Sequence, residues 1–196
     1  MFVQVIKGRT NDPDGLRQQF ERWSSELRPG AVGFEGSTTG IADDGTFIAL
    51  ARFSDADSAR ANSDRPEQGA WWAETSAYVD GEATFRESTD TSLLFDGGSD
   101  EAGFVQVMEG SVHDRAKAEA FESPEMLEQL RAARPDLIGG LRVWFPDDTF
   151  VDAAYFTSEA AARAGEQSTE FAGPQEDYAA LFGDMTFTDL REPLLA

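Results

Sequence analysis

Hydrophobic and polar positions in the first half of the chain alternate with the periods of strands and helices. Phe2–Ile6 has strand length and carries apolar residues on both faces. The first helix is indicated by an apolar stripe with spacings of four, three and four residues: Leu16, Phe20, Trp23 and Leu27. The same reasoning predicts strands at 32–38, 46–53 and 83–87, a second helix from about Asp55, and a loop from Arg65 to Trp72. The predicted order of elements is β-α-β-β-α-β.

Three blocks of the first half recur in the second half at offsets of 102 or 103 residues. The matching blocks are FVQVIKG (2–8) with FVQVMEG (104–110), DGTFIALARFSDADSARA (44–61) with DDTFVDAAYFTSEAAARA (147–164), and GEATF (81–85) with GDMTF (183–187). The chain is therefore interpreted as a duplication, with a first repeat at 1–90, a linker at 91–103 and a second repeat at 104–196. In the second repeat, Pro124 is expected to break or restart the first helix.

The order of elements in each repeat is the ferredoxin-like arrangement, in which helices cover one face of a sheet. The other face is also apolar and must be covered. We therefore predict an α+β fold in which the two ferredoxin-like repeats pack sheet to sheet as an intramolecular α+β barrel. Leu93–Phe95, in the linker, is predicted to be a crossing strand. The sequence leaves open whether the whole chain forms a homo-oligomer.

Charge and composition exclude several classes of function. The chain has 16 Lys and Arg against 37 Asp and Glu, a formal net charge of −21, so nucleic acid and anionic membrane surfaces would be repelled. It has no Cys and a single His, His113, which excludes thiolate zinc sites, iron–sulfur clusters and two-His metal sites. No signal-peptide pattern and no apolar run of membrane-span length is visible, so we expect a cytoplasmic protein.

With this duplication and element order, the sequence resembles the dimeric α+β barrel superfamily. Within it, the sequence is similar to the antibiotic biosynthesis monooxygenase type of domain, present as a tandem pair. The resemblance covers nearly the whole chain and rests on the repeated blocks and their hydrophobic pattern. The segment SDRPEQGAWW at 63–72 is similar to tandem proteins of this kind from actinobacteria. The resemblance implies a small aromatic or lipophilic ligand in the barrel, and the superfamily includes both cofactor-independent oxygenases and haem enzymes.

Four polar residues within predicted strands are candidate ligand-binding residues. Gln4 and Gln106 are equivalent mid-strand amides, which could instead satisfy a strand bulge or a buried water. Asp152 is at the centre of a strand and needs a partner, for which Arg142 on the preceding strand is the most accessible cation. We expect these side chains to face the space enclosed between the two sheets, because an amide under the helices would lack partners.

The two repeats differ most at this predicted site, which favours the second repeat as the one specialised for binding. Ala49 aligns with Asp152, and Gly36 is taken as the counterpart of Arg142. The aligned pair Arg52 and Tyr155 is expected at a rim rather than in a core.

Two tryptophans complete the candidate ligand-binding site. Trp72 and Trp144 are predicted to close the ends of the cavity, although aromatic side chains more commonly fill cores. Trp23 lies on the apolar helix stripe and is assigned to the core. His113 follows the first strand of the second repeat and is interpreted as a loop residue rather than a ligand.

The leading functional hypothesis is a small-molecule-binding barrel that acts as a cofactor-independent monooxygenase on an aromatic or polyketide-like substrate. The alternative is a non-catalytic ligand-binding or interaction protein of the same fold, since no nucleophile–base pair or metal cluster is visible. Haem binding through His113 is a third option. No cofactor is expected, and the expected partner is a small apolar or aromatic molecule.

Overall fold

The computed structural model describes residues 1–98, 100–121, 123–167 and 181–196. These residues form two compact units: unit 1 is Met1–Thr91 with Leu190–Ala196, and unit 2 is Ser92–Asp189. Within the described residues, each unit contains one five-stranded sheet together with helices. The predicted α+β fold with two ferredoxin-like repeats is therefore confirmed.

Unit 1 has the predicted β-α-β-β-α-β order with one additional helix. Its elements are β1 (Phe2–Arg9), α1 (Pro13–Arg22), β2 (Phe34–Ile41), β3 (Thr46–Phe53), α2 (Ala56–Ser63), α3 (Pro66–Thr75) and β4 (Asp80–Ser88). Asp12 caps α1 by accepting a hydrogen bond from the Gly15 backbone N–H, and Pro13 takes the first helical position. A π-helical turn at Trp23–Leu27 continues α1.

The helix α3 corrects the prediction of a loop between Arg65 and Trp72. Pro66 occupies the first turn of α3, where its fixed φ suits a helix and its missing N–H is not needed. The buried Trp71 anchors the helix, because its indole N–H donates a hydrogen bond of 2.9 Å to the Gln19 carbonyl on α1. This contact joins residues distant in sequence, so the local pattern could not indicate it.

Unit 2 repeats this architecture. Its elements are β5 (Thr91–Leu94), β6 (Phe104–Val112), α4 (Arg115–Phe121), α5 (Pro124–Ala133), β7 (Leu137–Trp144), β8 (Thr149–Phe156), α6 (Glu159–Glu166) and β9 (Phe182–Arg191). The expected restart of the first helix at Pro124 is confirmed, and Ser123 caps the new helix by accepting from the Met126 N–H. None of the described helices is long and apolar enough to cross a membrane.

Each sheet receives its fifth strand from the chain segment that follows the other repeat. The order in the first sheet is β10-β2-β3-β1-β4, where β10 is Leu194–Leu195 at the end of the second repeat. The order in the second sheet is β5-β7-β8-β6-β9, where β5 directly follows the first repeat. The crossing strand expected near Leu93 is therefore present. This exchange means that neither five-stranded sheet is built from one contiguous repeat.

The central strands are buried on both faces. In β8, Phe150, Asp152 and Ala154 lie on one face, and Val151 and Tyr155 lie on the other. Tyr155 is completely buried, so the prediction that it lies at a rim is wrong. Its position near the end of β8 does not expose it, because the sheet is covered there as well.

Candidate functional site

A cavity of unit 2 lies between the sheet and its helices. Its volume is about 340 Å³, within the range that ligand pockets occupy. Strands β7 and β8 supply one wall, α4 and α5 supply another, and the crossing strand β5 closes a side. Its main lining residues are Leu94, Met108, Leu127, Arg142, Trp144 and Asp152.

Arg142 and Asp152 form a buried ion pair on the sheet wall of this cavity. They are directly opposed in the register of β7 and β8. Arg142 Nε donates to Asp152 Oδ1 at 2.7 Å, and Arg142 Nη2 donates to Asp152 Oδ2 at 2.6 Å. This two-point geometry is the strong form of an arginine–carboxylate interaction. The predicted pairing of these two residues is confirmed.

The surroundings of the pair impose opposite electrostatic effects on Asp152. Only 7% of Asp152 is exposed, and burial raises the pKa of its carboxyl group, although the hydrogen bonds and charge of Arg142 oppose the rise. Three aromatic rings surround the guanidinium, with its Cζ 5.1 Å from the ring centre of Trp144, 5.4 Å from Phe150 and 5.7 Å from Phe182. Cation–π attraction thus adds to the ion pair in holding Arg142.

Trp144 connects the ion pair to the helix wall. It is 2% exposed and lies near a second guanidinium, since Arg115 Cζ of α4 is 4.6 Å from the ring centre. Arg115 Nε in turn donates to Glu119 Oε1 at 2.8 Å, and Glu119 lines the cavity. The sequence identified Trp144 but not Glu119, because the cavity wall on α4 depends on which way that short helix packs.

Gln106 lies on the helix-covered face of the second sheet, but its side chain bonds to Asp189 and does not line the cavity. Its Nε2 donates to Asp189 Oδ1 at 3.0 Å, and Asp189 also pairs with Arg163 of α6. Gln106 alternates with Phe104 and Met108, which pack with Ala162 of α6. The amide that sequence analysis placed in the binding site is therefore part of a polar network at the edge of the sheet.

Unit 1 contains a smaller cavity of about 80 Å³ in the corresponding place between sheet and helices. Gln4 and Trp72 both line it. Gln4 Nε2 donates to Glu87 Oε1 at 2.8 Å, and the Trp72 ring meets Phe85 edge-on at 5.2 Å. The expectation that Gln4 and Gln106 face the space between the two sheets is wrong, because both lie under helices, where polar partners are available to them.

The six sequence-predicted residues are thus divided among three places. Arg142, Asp152 and Trp144 share the unit 2 cavity, Gln4 and Trp72 share the unit 1 cavity, and Gln106 belongs to the Asp189 network. His113 is exposed. Among the residues that the structure describes, no group of three or more His, Asp or Glu side chains is arranged to hold a metal ion.

The strand register also corrects the assumed counterpart of Arg142. In unit 1, Thr39 pairs with Ala49, and in unit 2, Arg142 pairs with Asp152. Since Ala49 aligns with Asp152, the counterpart of Arg142 is Thr39 and not Gly36. The counterpart of Gly36 is Gly139, because both glycines follow the irregularity at the start of their strands.

Comparison with solved structures shows the same fold in proteins described as monooxygenases. A "putative monooxygenase" from Lactobacillus acidophilus superposes with a TM-score of 0.74 over 100% of this chain and 95% of its own, at 14% identity. A second, from Fusobacterium nucleatum, gives a TM-score of 0.78 at 9% identity, covering 99% and 93% of the two chains. The chain has the fold of these monooxygenase-like proteins.

An anthrone oxidase-like protein has the same fold, with a TM-score of 0.66 over 100% of this chain and 92% of its own, at 10% identity. The sequence matches no protein-family model and no curated protein. The likeness therefore lies in the fold of the whole tandem chain, as the sequence resemblance implied, and the chemistry has to be argued from the cavities.

Proposed function

We propose that this protein binds a small aromatic molecule in the unit 2 cavity and oxygenates it with molecular oxygen and no cofactor. The observation that carries the proposal is the buried Arg142–Asp152 pair on the wall of an otherwise largely apolar cavity. Burying such a pair is costly, so it is retained more readily where it interacts with a ligand than where it only fills space.

The pair supplies both groups that such a reaction needs. A phenol- or ketone-stabilised substrate must lose a proton to become electron-rich enough to react with oxygen. Asp152, whose pKa burial raises, is a suitable proton acceptor, and Arg142 is a cation beside the anion that forms. Trp144 and Met108 provide apolar surface for the aromatic rings.

The reaction balances with oxygen as the sole oxidant. For a ring CH₂ that is conjugated with a ketone through aromatic rings, as in anthrone, the base removes one proton, and the carbanion adds to oxygen to form a carbon–oxygen bond. Protonation gives a hydroperoxide. Loss of the second C–H proton with cleavage of the O–O bond then gives a carbonyl group and water. One molecule of oxygen is consumed for each ketone formed.

The test is the conversion of anthrone to anthraquinone by the full chain in the presence of a chelator. The reaction is monitored by oxygen uptake and by the absorbance of anthraquinone. Anthrone is chosen because one protein of this fold is described as anthrone oxidase-like. Product and oxygen uptake in a 1:1 ratio are expected, with a loss of at least about a hundredfold in Asp152→Asn, the size typical of removing a general base. Spontaneous oxidation of anthrone without protein sets the baseline.

A matched control is available in the same unit. Arg134 and Asp136 form a second two-point ion pair, at 3.0 and 2.7 Å, that does not line the cavity. Asp136→Asn should retain activity in proportion to the folded fraction. Equal losses in Asp136→Asn and Asp152→Asn, or no conversion above the baseline, would contradict the proposed oxygenase.

One observation favours the alternative of binding without chemistry. Both carboxylate oxygens of Asp152 already accept hydrogen bonds from Arg142, which lowers the basicity of the carboxylate. If anthrone binds, measured by calorimetry, and is not oxidised faster than the baseline, the non-catalytic function is supported.

A further inference from the structure

The crossing strand β5 lies at the mouth of the unit 2 cavity. Ser92, Leu93 and Leu94 all line this cavity. Ser92 is exposed and Leu93 is 54% exposed, so the cavity reaches the surface of the protein along β5. β5 has four residues and is the edge strand of its sheet, hydrogen-bonded to β7 on one side. Short edge elements with much exposed surface are among the parts of a protein that open at the lowest free-energy cost. β5 is therefore suited to move.

The turn after β5 has an unfavourable backbone conformation. The Gly97 N–H donates to the Leu94 carbonyl at 3.0 Å, which closes a tight turn with Phe95 and Asp96 at its centre. Their φ angles are +50° and +72°. Two central residues with positive φ are the pattern of a type I′ turn, which favours Asn, Asp and Gly. A bulky residue such as Phe95 is strained there. Strain of this kind persists only where the surrounding structure holds it, and it is typical of clamps and switches.

A contact from helix α5 holds the strained turn in place. Arg131 Cζ of α5 lies 4.4 Å from the ring centre of Phe95. The same helix supplies Leu127 to the wall of the cavity. The cation–π contact therefore joins the two sides of the mouth, the end of β5 and α5. Because Arg131 is exposed, the contact is weak, and breaking it lets the strained turn relax.

From these observations, we propose that residues 92–97 are a gate that controls the entry of small molecules into the unit 2 cavity. The contact between Phe95 and Arg131 is its latch. When the latch breaks, the turn relaxes and β5 moves away from α5, which opens the cavity to solvent. The gate rests on the unit 2 cavity as the proposed ligand site, but not on the reaction proposed for that cavity.

Trp144 reports the opening of the gate, because it lines the cavity and is only 2% exposed. Acrylamide is a small neutral quencher of tryptophan fluorescence and should reach this indole when the cavity opens. The signal of Trp144 is the difference between a protein and the same protein with Trp144→Phe. In Arg131→Gln, the quenching rate constant of this signal should rise about two- to fivefold, the factor that corresponds to one exposed cation–π contact.

Two variants separate the latch from a general effect of removing an arginine. Arg28→Gln is the matched control, because Arg28 is also exposed and its Cζ lies 5.8 Å from the ring centre of Phe34 in unit 1. It should leave the quenching of Trp144 unchanged. Arg131→Lys keeps a cation beside Phe95 and should quench as slowly as the parent does.

Two further variants test the turn itself. Phe95→Leu removes the ring and should speed quenching as much as Arg131→Gln does. The double variant should be no faster than either single variant, because both substitutions break one contact. Asp96→Gly acts in the opposite direction, since glycine relieves strain at the second central position of the turn and stabilises the closed gate. Quenching of Trp144 should slow in Asp96→Gly.

Four results would overturn the gate: unchanged quenching in Arg131→Gln, an equal rise in Arg28→Gln, additive effects of Phe95→Leu and Arg131→Gln, or faster quenching in Asp96→Gly. Each of them is compatible with a protein that oxidises anthrone, so the proposed oxygenase would stand. Conversely, a protein that does not oxidise anthrone but shows quenching that depends on the latch would contradict the oxygenase and support the gate.

Discussion

Thr39 and Arg142 occupy the same position in the two sheets, each opposite the aligned residue of the neighbouring strand, Ala49 or Asp152. Both line the cavity of their own unit. One duplicated position thus carries a neutral hydroxyl in one unit and a buried guanidinium in the other. The two cavities therefore differ in the charge of their sheet walls.

This relationship leads to a prediction about stability. Asp152→Ala leaves Arg142 buried without its partner and should cost about 3–5 kcal/mol. The double variant Arg142→Thr with Asp152→Ala, which rebuilds the pair found in unit 1, should recover most of that loss. Urea unfolding of the parent, the single variant and the double variant measures the difference. If the double variant is as unstable as the single one, the pair itself stabilises the fold, and the argument that it is kept for a ligand fails.

The two arginine–aspartate ion pairs of unit 2, Arg134–Asp136 and Arg142–Asp152, should respond to acid in opposite directions. Hydrogen bonds from Arg134 lower the pKa of Asp136, so this group stabilises the fold above about pH 3.9, and the contribution is lost as the pH falls through the lowered pKa. Burial raises the pKa of Asp152, so its contribution is fully present below about pH 3.9 and is lost as the pH rises through the raised pKa.

The free energy of unfolding, measured for the parent and both variants from pH 3 to pH 7, distinguishes these two pH dependences. The stability advantage of the parent over Asp136→Asn should shrink toward low pH, whereas its advantage over Asp152→Asn should grow. Parallel curves for the two variants would show that burial does not govern the ionisation of Asp152.

Glycines at the start of β2 and β7 make room for the exchanged strands. A Cβ on Gly139 would overlap the carbonyl oxygen of Gly97, just after β5, and a Cβ on Gly36 would lie 2.8 Å from the carbonyl oxygen of Ala196, just after β10. Gly36 also has a backbone φ of +144°, a conformation that residues with a side chain rarely adopt. Both positions therefore need glycine because another segment of backbone passes over them.

We expect Gly139→Ala to destabilise the protein by about 1–3 kcal/mol, the usual cost of overpacking, and to release β5 from the sheet. Hydrogen exchange of the 91–97 amides should accelerate more than that of β8. Gly69→Ala is the control, because Gly69 lies in α3 with no atom within 4 Å of an added Cβ, and alanine is the better helix former. Unchanged exchange at 91–97 would mean that the glycine does not hold the crossing strand.

Each repeat should depend on the other for a stable sheet. A fragment of residues 1–90 lacks β10, which pairs with β2, and also lacks the partner sheet that the sequence predicts for its apolar face. It is expected to dimerise or aggregate. Sedimentation of the fragment measures this, and a well-folded monomer would contradict the predicted sheet-to-sheet packing.

The sequence by itself determined the architecture of each unit. The order of elements apart from α3, the restart at Pro124 and the crossing strand near Leu93 follow from local hydrophobic periods and turn residues, which act over a few neighbouring residues. The duplication follows from the sequence blocks that recur in the two halves. The pairing of Arg142 with Asp152 could also be predicted, because adjacent strands of a hairpin bring their residues together in a fixed register.

Only the tertiary structure decided which residues of the two repeats correspond and where the cavities lie. The connection from Pro135 to Leu137 is three residues shorter than that from Pro29 to Phe34, so aligning the prolines wrongly matched Gly36 with Arg142. The correct alignment follows from the strand pairing, because shifting a strand by an odd number of residues moves every side chain to the other face of the sheet. The cavities likewise depend on how helices with large aromatic side chains rest on a sheet, which involves contacts between residues far apart in sequence.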